Sequence, residues 1–284
     1  MKNVMIIKWQ ANNYFVKYIK TNNIYQLYNT DNYEKVCNYM KTIGFLNIPL
    51  GKWTKKVKNA DMIVFFDSFF NYSALKYVKE NNPDARVCLY YWNKMNDDNS
   101  ELLKLDDIDD FYTFDPEDAE KYGIKYNEQF YTTDIKLKNK RPKYDVCFLG
   151  RDKGRTSAIE DAKKHFDDNN LNSDIRIITS EKDFISYKKY LKMIENSKCI
   201  LDIVSNNQKG TSLRGMESLF FKKKLITNNS NIANYDFYNK NNIFIIGKDN
   251  WKNISKFINS NYEEIDQDIV LKYDFKNWIK RFEK

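Results

Sequence analysis

The chain holds a single histidine, His165, which removes the usual His-rich metal centres and two-histidine acid/base systems from consideration. That histidine is expected on a helix surface. Cysteine is also scarce: Cys37, Cys88, Cys147 and Cys199 lie far apart, the last three in apolar strand-like runs. They read as reduced core residues, neither a disulfide framework nor a zinc site. No apolar run approaches the ~20 residues of a membrane span, and the apolar part of the opening MKNVMIIKWQ is too short for a secretory signal. A cytoplasmic location is expected. The phosphate-loop pattern GxxxxGK[ST] is missing, which disfavours a P-loop nucleotidase. Neither an arginine-rich tail nor a nucleic-acid motif is present, so nucleic acid is not an expected partner.

What the chain does have is length and apolar mass. Its 284 residues exceed one typical domain, and two domains of roughly 100–150 residues each are expected. With 42% hydrophobic residues, 21 Tyr, 19 Phe and 5 Trp, it folds despite its many Asn and Lys. Lys plus Arg outnumber Asp plus Glu by 47 to 39, a formal net charge of +8. That excess favours anionic partners, among them nucleotide phosphates and an anionic membrane face.

Short apolar runs alternate with amphipathic, helix-length segments, the pattern of βα units around parallel sheets. The first half gives strands at Val4–Ile7, Asp61–Phe66, Arg86–Trp92 and Asp110–Phe114, and a short one near Glu128–Tyr131. Helices are expected near Tyr33–Ile43 and Tyr72–Asn81, and after Asp115-Pro116, where Asp caps and Pro opens the first turn. Thr132–Tyr144, TTDIKLKNKRPKY, has little apolar content and reads as a linker. A second series follows: strands at Tyr144–Gly150, Ile175–Thr179, Cys199–Val204 and Asn242–Gly247, and one ahead of Asn229. Its helices fall near Thr156–Asp168, Tyr187–Asn196, Trp251–Asn261 and Asp274–Glu283. The expected fold is α/β, two Rossmann-like domains in tandem over 1–135 and 144–269, with 270–284 returning to the first.

In such sheets ligands bind beyond the carboxyl ends of the strands. FLGRDKGR, Phe148–Arg155, follows one strand; Gly150 permits a sharp turn, and Arg151, Lys153 and Arg155 supply donors before a helix, a setting for a diphosphate. In QKGTSLRGMESLFFKKKLITNN, Gln208–Asn229, Thr211 or Ser212 is a candidate N-cap and Arg214 adds a cation in the first turn. Glu217, one turn further on, could accept from both hydroxyls of a ribose. The plainer alternatives stay open: a basic surface turn for the first loop, and a surface Arg214–Glu217 ion pair for the second.

The pair FLGRDKGR and Q-x-G-x-S-x-R-x-x-E, followed by KKLITNN, resembles the donor-binding domain of GT-B glycosyltransferases, closest to those of bacterial lipopolysaccharide and capsule synthesis. The motif match covers Tyr144–Asn229; the first half is similar only in its βα rhythm. The resemblance implies transfer of a sugar from a nucleotide-diphosphate donor, with no cofactor and no metal, to a glycan or lipid-linked acceptor. By residue, Arg151 and Arg155 would be the phosphate-side basic residues, beside Gly150 and Lys153 of the same turn. Gln208, Gly210, Thr211 and Ser212 would face sugar and diphosphate, Arg214 phosphate, and Glu217 the ribose. Many retaining members carry a second glutamate eight residues earlier, where this chain has Lys209. A lipid-linked acceptor would let the basic surface rest against the anionic inner face of the membrane.

If transfer inverts configuration, a general base is needed, and Asp67 in FFDSFFN, after a first-half strand, is the candidate, with Ser68 to position the acceptor. Asp67 could equally cap the next helix. Asp115 reads as a cap, and Asp107-Ile108-Asp109, which mimics the D-x-D of metal-dependent enzymes, as a solvated turn. Two other readings share the architecture: a non-catalytic nucleotide- or phosphate-binding protein, and a nucleotide-sugar epimerase.

Overall fold

A computed structural model describes residues 3–8, 14–29, 49–205 and 207–283. The expected helix at Tyr33–Ile43 and Cys37 lie outside the described residues. The chain forms two compact units, Met1–Asn127 with Arg281–Lys284, and Glu128–Lys280.

The first unit is built on six parallel strands: β1 (Val4–Lys8), β2 (Ile24–Gln26), β3 (Met62–Phe66), β4 (Arg86–Tyr91), β5 (Asp110–Thr113) and β6 (Lys125–Tyr126), in the order β2-β1-β3-β4-β5-β6. Strands covered on both faces need continuous apolar sequence. All five residues of β3, MIVFF, are buried, as are five of the six in β4. Helix α1 (Tyr72–Asn81) starts where the Asn71 side chain accepts from the Ala74 amide, and it buries Ala74, Leu75 and Val78. Helix α2 (Pro116–Tyr122) is capped by Asp115 and stops at Gly123, whose φ of 64° suits a residue without Cβ. Phe282 closes the unit. Its ring centroid lies 4.6 Å from that of Tyr112, and its carbonyl accepts from Arg86 at 2.9 Å.

The second unit has five parallel strands, β7 (Tyr144–Arg151), β8 (Ser173–Ile178), β9 (Ser197–Asp202), β10 (Lys224–Thr227) and β11 (Ile243–Ile245), in the order β11-β10-β9-β7-β8. Helix α3 (Thr156–Asp168) turns Ile159, Ala162 and Phe166 inward at helical spacing. His165 on this helix stacks on Trp251, with 4.3 Å between centroids. Helices α4 (Tyr187–Glu195) and α5 (Leu213–Phe221) complete the part that carries the site. Counted from its own first strand, each sheet has the order 2-1-3-4-5, and the first adds a sixth strand. This is a doubly wound α/β arrangement, used twice. Its topological switch points, where ligands bind in such sheets, fall between β1 and β3 and between β7 and β9.

Several details differ from the sequence reading. Of the segment 270–284 expected back on the first unit, only Arg281–Lys284 belongs to it, and 270–280 stays in the second. The polar stretch Thr132–Tyr144 lies inside the second unit because side chains and carbonyls tie it down along its length. The Thr133 amide donates to Asp274 at 2.8 Å, the Lys138 amide to Glu195 at 2.9 Å, and the Lys143 amide to the Asn196 carbonyl at 2.7 Å. No strand spans Glu128–Tyr131; Tyr131 makes one isolated bridge to Asp274. The half-buried strand β2 and the helix Gln267–Lys272 carry too few buried residues to signal themselves. Cys88, Cys147 and Cys199 are buried free thiols. Among the described residues, no helix is long and apolar enough to cross a membrane.

Candidate functional site

At the switch point of the second sheet, the ends of β7 and β9 hold two guanidinium groups. Arg155 donates to the carbonyl of Arg151 at 3.0 Å and also to that of Ile203. Arg214, from α5, donates to Asp202 at 2.9 Å, to the Leu149 carbonyl at 3.3 Å and to the Ile203 carbonyl at 3.4 Å. Both lie over the Phe148 ring, 5.7 and 5.1 Å from its centroid. Gly150 permits this, since a Cβ there would stand 2.9 Å from Arg155 Nη2 and 3.3 Å from Arg214 Nη1.

The same turn brings in Arg151, stacked on Phe184 at 4.9 Å, and Lys153, held at a left-handed φ of 47°. Four cations therefore share the corner with two carboxylates, Asp202 and Asp152. The crowding shows in their protonation. Arg155 falls to about 10, first through burial and then through the charge of Arg214. Lys153 is lowered too, first by loss of water and then by Arg155, Arg214 and Arg151. An arriving anion would relieve that repulsion, so the corner is preorganised for one.

The helix amides expected to help are already engaged. Asp152 Oδ1 accepts from the Arg155 amide at 3.1 Å and the Thr156 amide at 3.0 Å, and Ser212 Oγ accepts from the amides of Arg214 and Gly215 at 3.1 and 3.3 Å. Any anion affinity here would come from the side chains. Ser212 is thus the N-cap of α5, and Thr211 is not: Thr211 is buried, its amide donating to Tyr235 Oη at 3.0 Å, and its hydroxyl packs where a Cβ on Gly215 would stand 2.3 Å away. Gln208 braces its own loop by donating to the Gly210 carbonyl at 3.0 Å. Asn229 holds that loop from beyond β10, donating to the carbonyls of Lys209 and Gly210, both at 3.2 Å. The structure therefore gathers Gly150, Arg151, Lys153, Arg155 and Arg214, with Gln208, Gly210 and Ser212 on the adjoining loop.

Glu217 requires a correction. It is fully buried, and its two oxygens accept from Tyr187 Oη at 2.7 Å and Tyr190 Oη at 2.8 Å, both on α4. Tyr131 Oη in turn meets Tyr187 Oη. Burial pushes the carboxyl up to about 7, against the pull of these hydroxyls and of Arg214. A side chain with no exposed surface and both oxygens engaged is not placed to receive a ribose; here it locks α5 to α4. Nor does it form the surface ion pair that was the alternative, since Arg214 pairs with Asp202.

In the first unit, Asp67 follows β3 directly. It does not cap α1, a role Asn71 fills. Asp67 Oδ1 accepts from the Trp92 amide at 2.8 Å, and burial raises its pKa. Asn93 donates to Ser68 Oγ at 2.9 Å. Across the switch point stands Lys8, the last residue of β1, which sequence reasoning passed over; a cation closing an apolar first strand was the available signal. Asp202 was missed likewise, as a carboxylate inside the apolar run CILDIV. Asp115 caps α2 and pairs with Lys94 at 3.0 Å, and Asp109 accepts from the Val87 amide at 2.6 Å. Among the described residues, no three His, Cys, Asp or Glu side chains cluster as metal ligands.

Fold and site together define an α/β protein with two parallel, doubly wound sheets and a cationic corner at the switch point of the second. No protein-family model matches the chain, and no curated protein matches it with significance.

Proposed function

We propose that the protein is a glycosyltransferase of GT-B type that moves a sugar from a nucleotide-diphosphate donor to a glycan or lipid-linked acceptor. The observation that carries this reading is the cationic corner of Arg151, Lys153, Arg155 and Arg214, where four positive groups stand against two carboxylates. A diphosphate leaving group gathers negative charge as the glycosidic bond breaks. Guanidinium groups fixed beforehand by strand-end carbonyls stabilise that charge without reorganising. Arg155 and Arg214 would hold the phosphate oxygens, Arg151 and Lys153 would add charge from the turn, and the Gln208–Ser212 loop would face the sugar. In an inverting reaction Asp67, with its raised pKa, would take the acceptor proton. The glycan product would belong to cell-surface polysaccharide synthesis.

The test is calorimetric titration with uridine, guanosine, cytidine and thymidine diphosphates and their sugars, followed by turnover with a crude glycan acceptor. Binding of one family, lost in Arg155→Ala and Arg214→Ala, is the expected result. Binding without turnover would favour the non-catalytic reading. If no nucleoside diphosphate or sugar nucleotide binds, the proposal fails.

A further inference from the structure

The switch point of the first sheet has a constellation that the donor-site reading does not use. Lys8 closes β1 and Asp67 follows β3, two strands joined in register at Ile7 and Phe65. The Lys8 ammonium lies 5.1 Å from the Phe66 ring centroid and 5.3 Å from that of Trp92. Trp92 is backed on by Phe15, stacked 5.9 Å away. Among the described residues, no carboxylate comes within ion-pair distance of Lys8. Its pKa drops to about 8, burial outweighing the opposing charge of Asp67.

Asp67 is built differently. One oxygen is anchored on the Trp92 amide at 2.8 Å, the other meets a long contact from Asn93 at 3.4 Å, and the Ser68 amide also donates to the carboxylate, which leaves a lone pair open. A cation short of a counter-charge and a carboxylate with a free lone pair thus share one corner, at the place where open α/β sheets bind ligands. A bare anion would satisfy Lys8 and be repelled by Asp67. A neutral sugar would suit Asp67 and leave Lys8 as it is. Only a ligand with an oxyanion and a neighbouring hydroxyl answers both: Lys8 donates to the oxyanion, and the hydroxyl donates to Asp67.

We infer that the first unit binds a hydroxylated oxyanion, a sugar acid or a sugar phosphate, through Lys8 and Asp67. Its identification as the acceptor rests on the transferase reading; the site itself does not. Under that reading the hydroxyl on Asp67 is the one that becomes glycosylated, and the acceptor residue is acidic.

The site can be read at Lys8 itself. In the full chain labelled with 13C at the lysine ε-carbons, the Lys8 signal is the one lost in both Lys8→Gln and Lys8→Arg. Its titration is followed alone and with glucuronate, glucose 6-phosphate, glucose or acetate. The expected result is a midpoint near 8 that rises saturably by about one unit or more, equivalent to tenfold tighter binding to the protonated amine. The rise should come with glucuronate or glucose 6-phosphate and not with glucose or acetate. The ligand that acts separates a carboxylate source from a phosphate source. A Lys8 signal that stays unmoved by both acids, that titrates like a surface lysine, or that responds equally to acetate overturns the inference. Nucleoside diphosphate binding through Arg155 and Arg214 is measured separately, so either idea can fail alone.

Discussion

Glu217 gives the sharpest test of the structure. Its carboxyl rises from an ordinary 4.5 to about 7 because it is fully enclosed. Between those two values the unfolded chain has released the proton and the folded chain retains it, so stability must fall as pH rises. The contribution is complete below 4.5 and is lost as pH climbs through about 7. A displacement of this size corresponds to roughly 3 kcal/mol across the window. Urea unfolding of the wild type and Glu217→Gln at intervals from about pH 5 to pH 8 isolates it, since glutamine does not titrate and other ionisations cancel in the difference. The wild type should lose about 3 kcal/mol relative to the variant over that range. Glu217→Ala should cost about 3–5 kcal/mol near pH 5, because it opens a cavity and strips the hydroxyls of Tyr187 and Tyr190 of their acceptor, and that cost should shrink toward pH 8 in step with the wild type's loss, since alanine does not titrate either. Parallel pH profiles for wild type and Glu217→Gln would refute the reasoning.

Further outcomes follow from the same contacts. Arg155→Ala and Arg214→Ala should each weaken nucleoside diphosphate binding by about 10–100-fold, the worth of charge-assisted bonds in a partly desolvated corner, as read by calorimetry. Gly150→Ala should weaken the same binding and also cost about 1–3 kcal/mol of stability in urea melts, because its methyl would stand 2.9 Å from both the Arg155 guanidinium and the buried Phe148 ring. Gly51→Ala, by contrast, puts a methyl 2.0 Å from the backbone oxygen of Gln26, which cannot yield; a loss of about 3 kcal/mol or more is expected in urea melts. Asn71→Ala should cost about 1 kcal/mol, the usual worth of an N-cap, with little effect on ligand binding.

Much of this fold was legible because buried parallel strands must be written as apolar runs. MIVFF, RVCLYY and YDVCFLG each announce a strand, and Asp115-Pro116 announces the start of α2. What stayed hidden was polar structure that contacts hold in place. Thr132–Tyr144 looks like a linker by composition, yet hydrogen bonds to Asp274, Glu195 and Asn196 fasten it. Of the candidate site, the basic residues around Gly150 and Arg214 on α5 could be seen because their positions relative to strand ends follow from the βα rhythm. The role of Glu217 could not. Helical spacing places it about one turn from Arg214 but says nothing of α4, whose Tyr187 and Tyr190 enclose it. Nor does a linear pattern distinguish an amide that is open from one that Asp152 or Ser212 already caps.

The repeated strand order explains why the two switch points resemble each other and why they should differ in ligand. In open sheets of this strand order the first and third strands send their connections to opposite faces, opening a crevice between their carboxyl ends. In each sheet here, the first strand or the turn after it brings cations, Lys8 in one and Arg151, Lys153 and Arg155 in the other. The third strand brings a carboxylate, Asp67 or Asp202. The balance then sets the chemistry. Asp202 is committed to Arg214 at 2.9 Å and leaves the second corner in cationic excess, which suits the several charges of a diphosphate. Asp67 is anchored on a backbone amide and faces one lysine, a near-neutral corner in which a carboxylate can accept a hydroxyl proton instead of being silenced by an ion pair. Under the proposed transferase reading, a donor with several negative charges and a hydroxylated acceptor with few would fit these two balances. Exchanging the balance, by Asp67→Asn in one corner and Asp202→Asn in the other, should weaken hydroxyl recognition in the first. In the second it should disorder Arg214, with nucleoside diphosphate affinity falling about tenfold. A gain in affinity on Asp202→Asn would mean that Asp202 opposes the anion more than it positions the guanidinium.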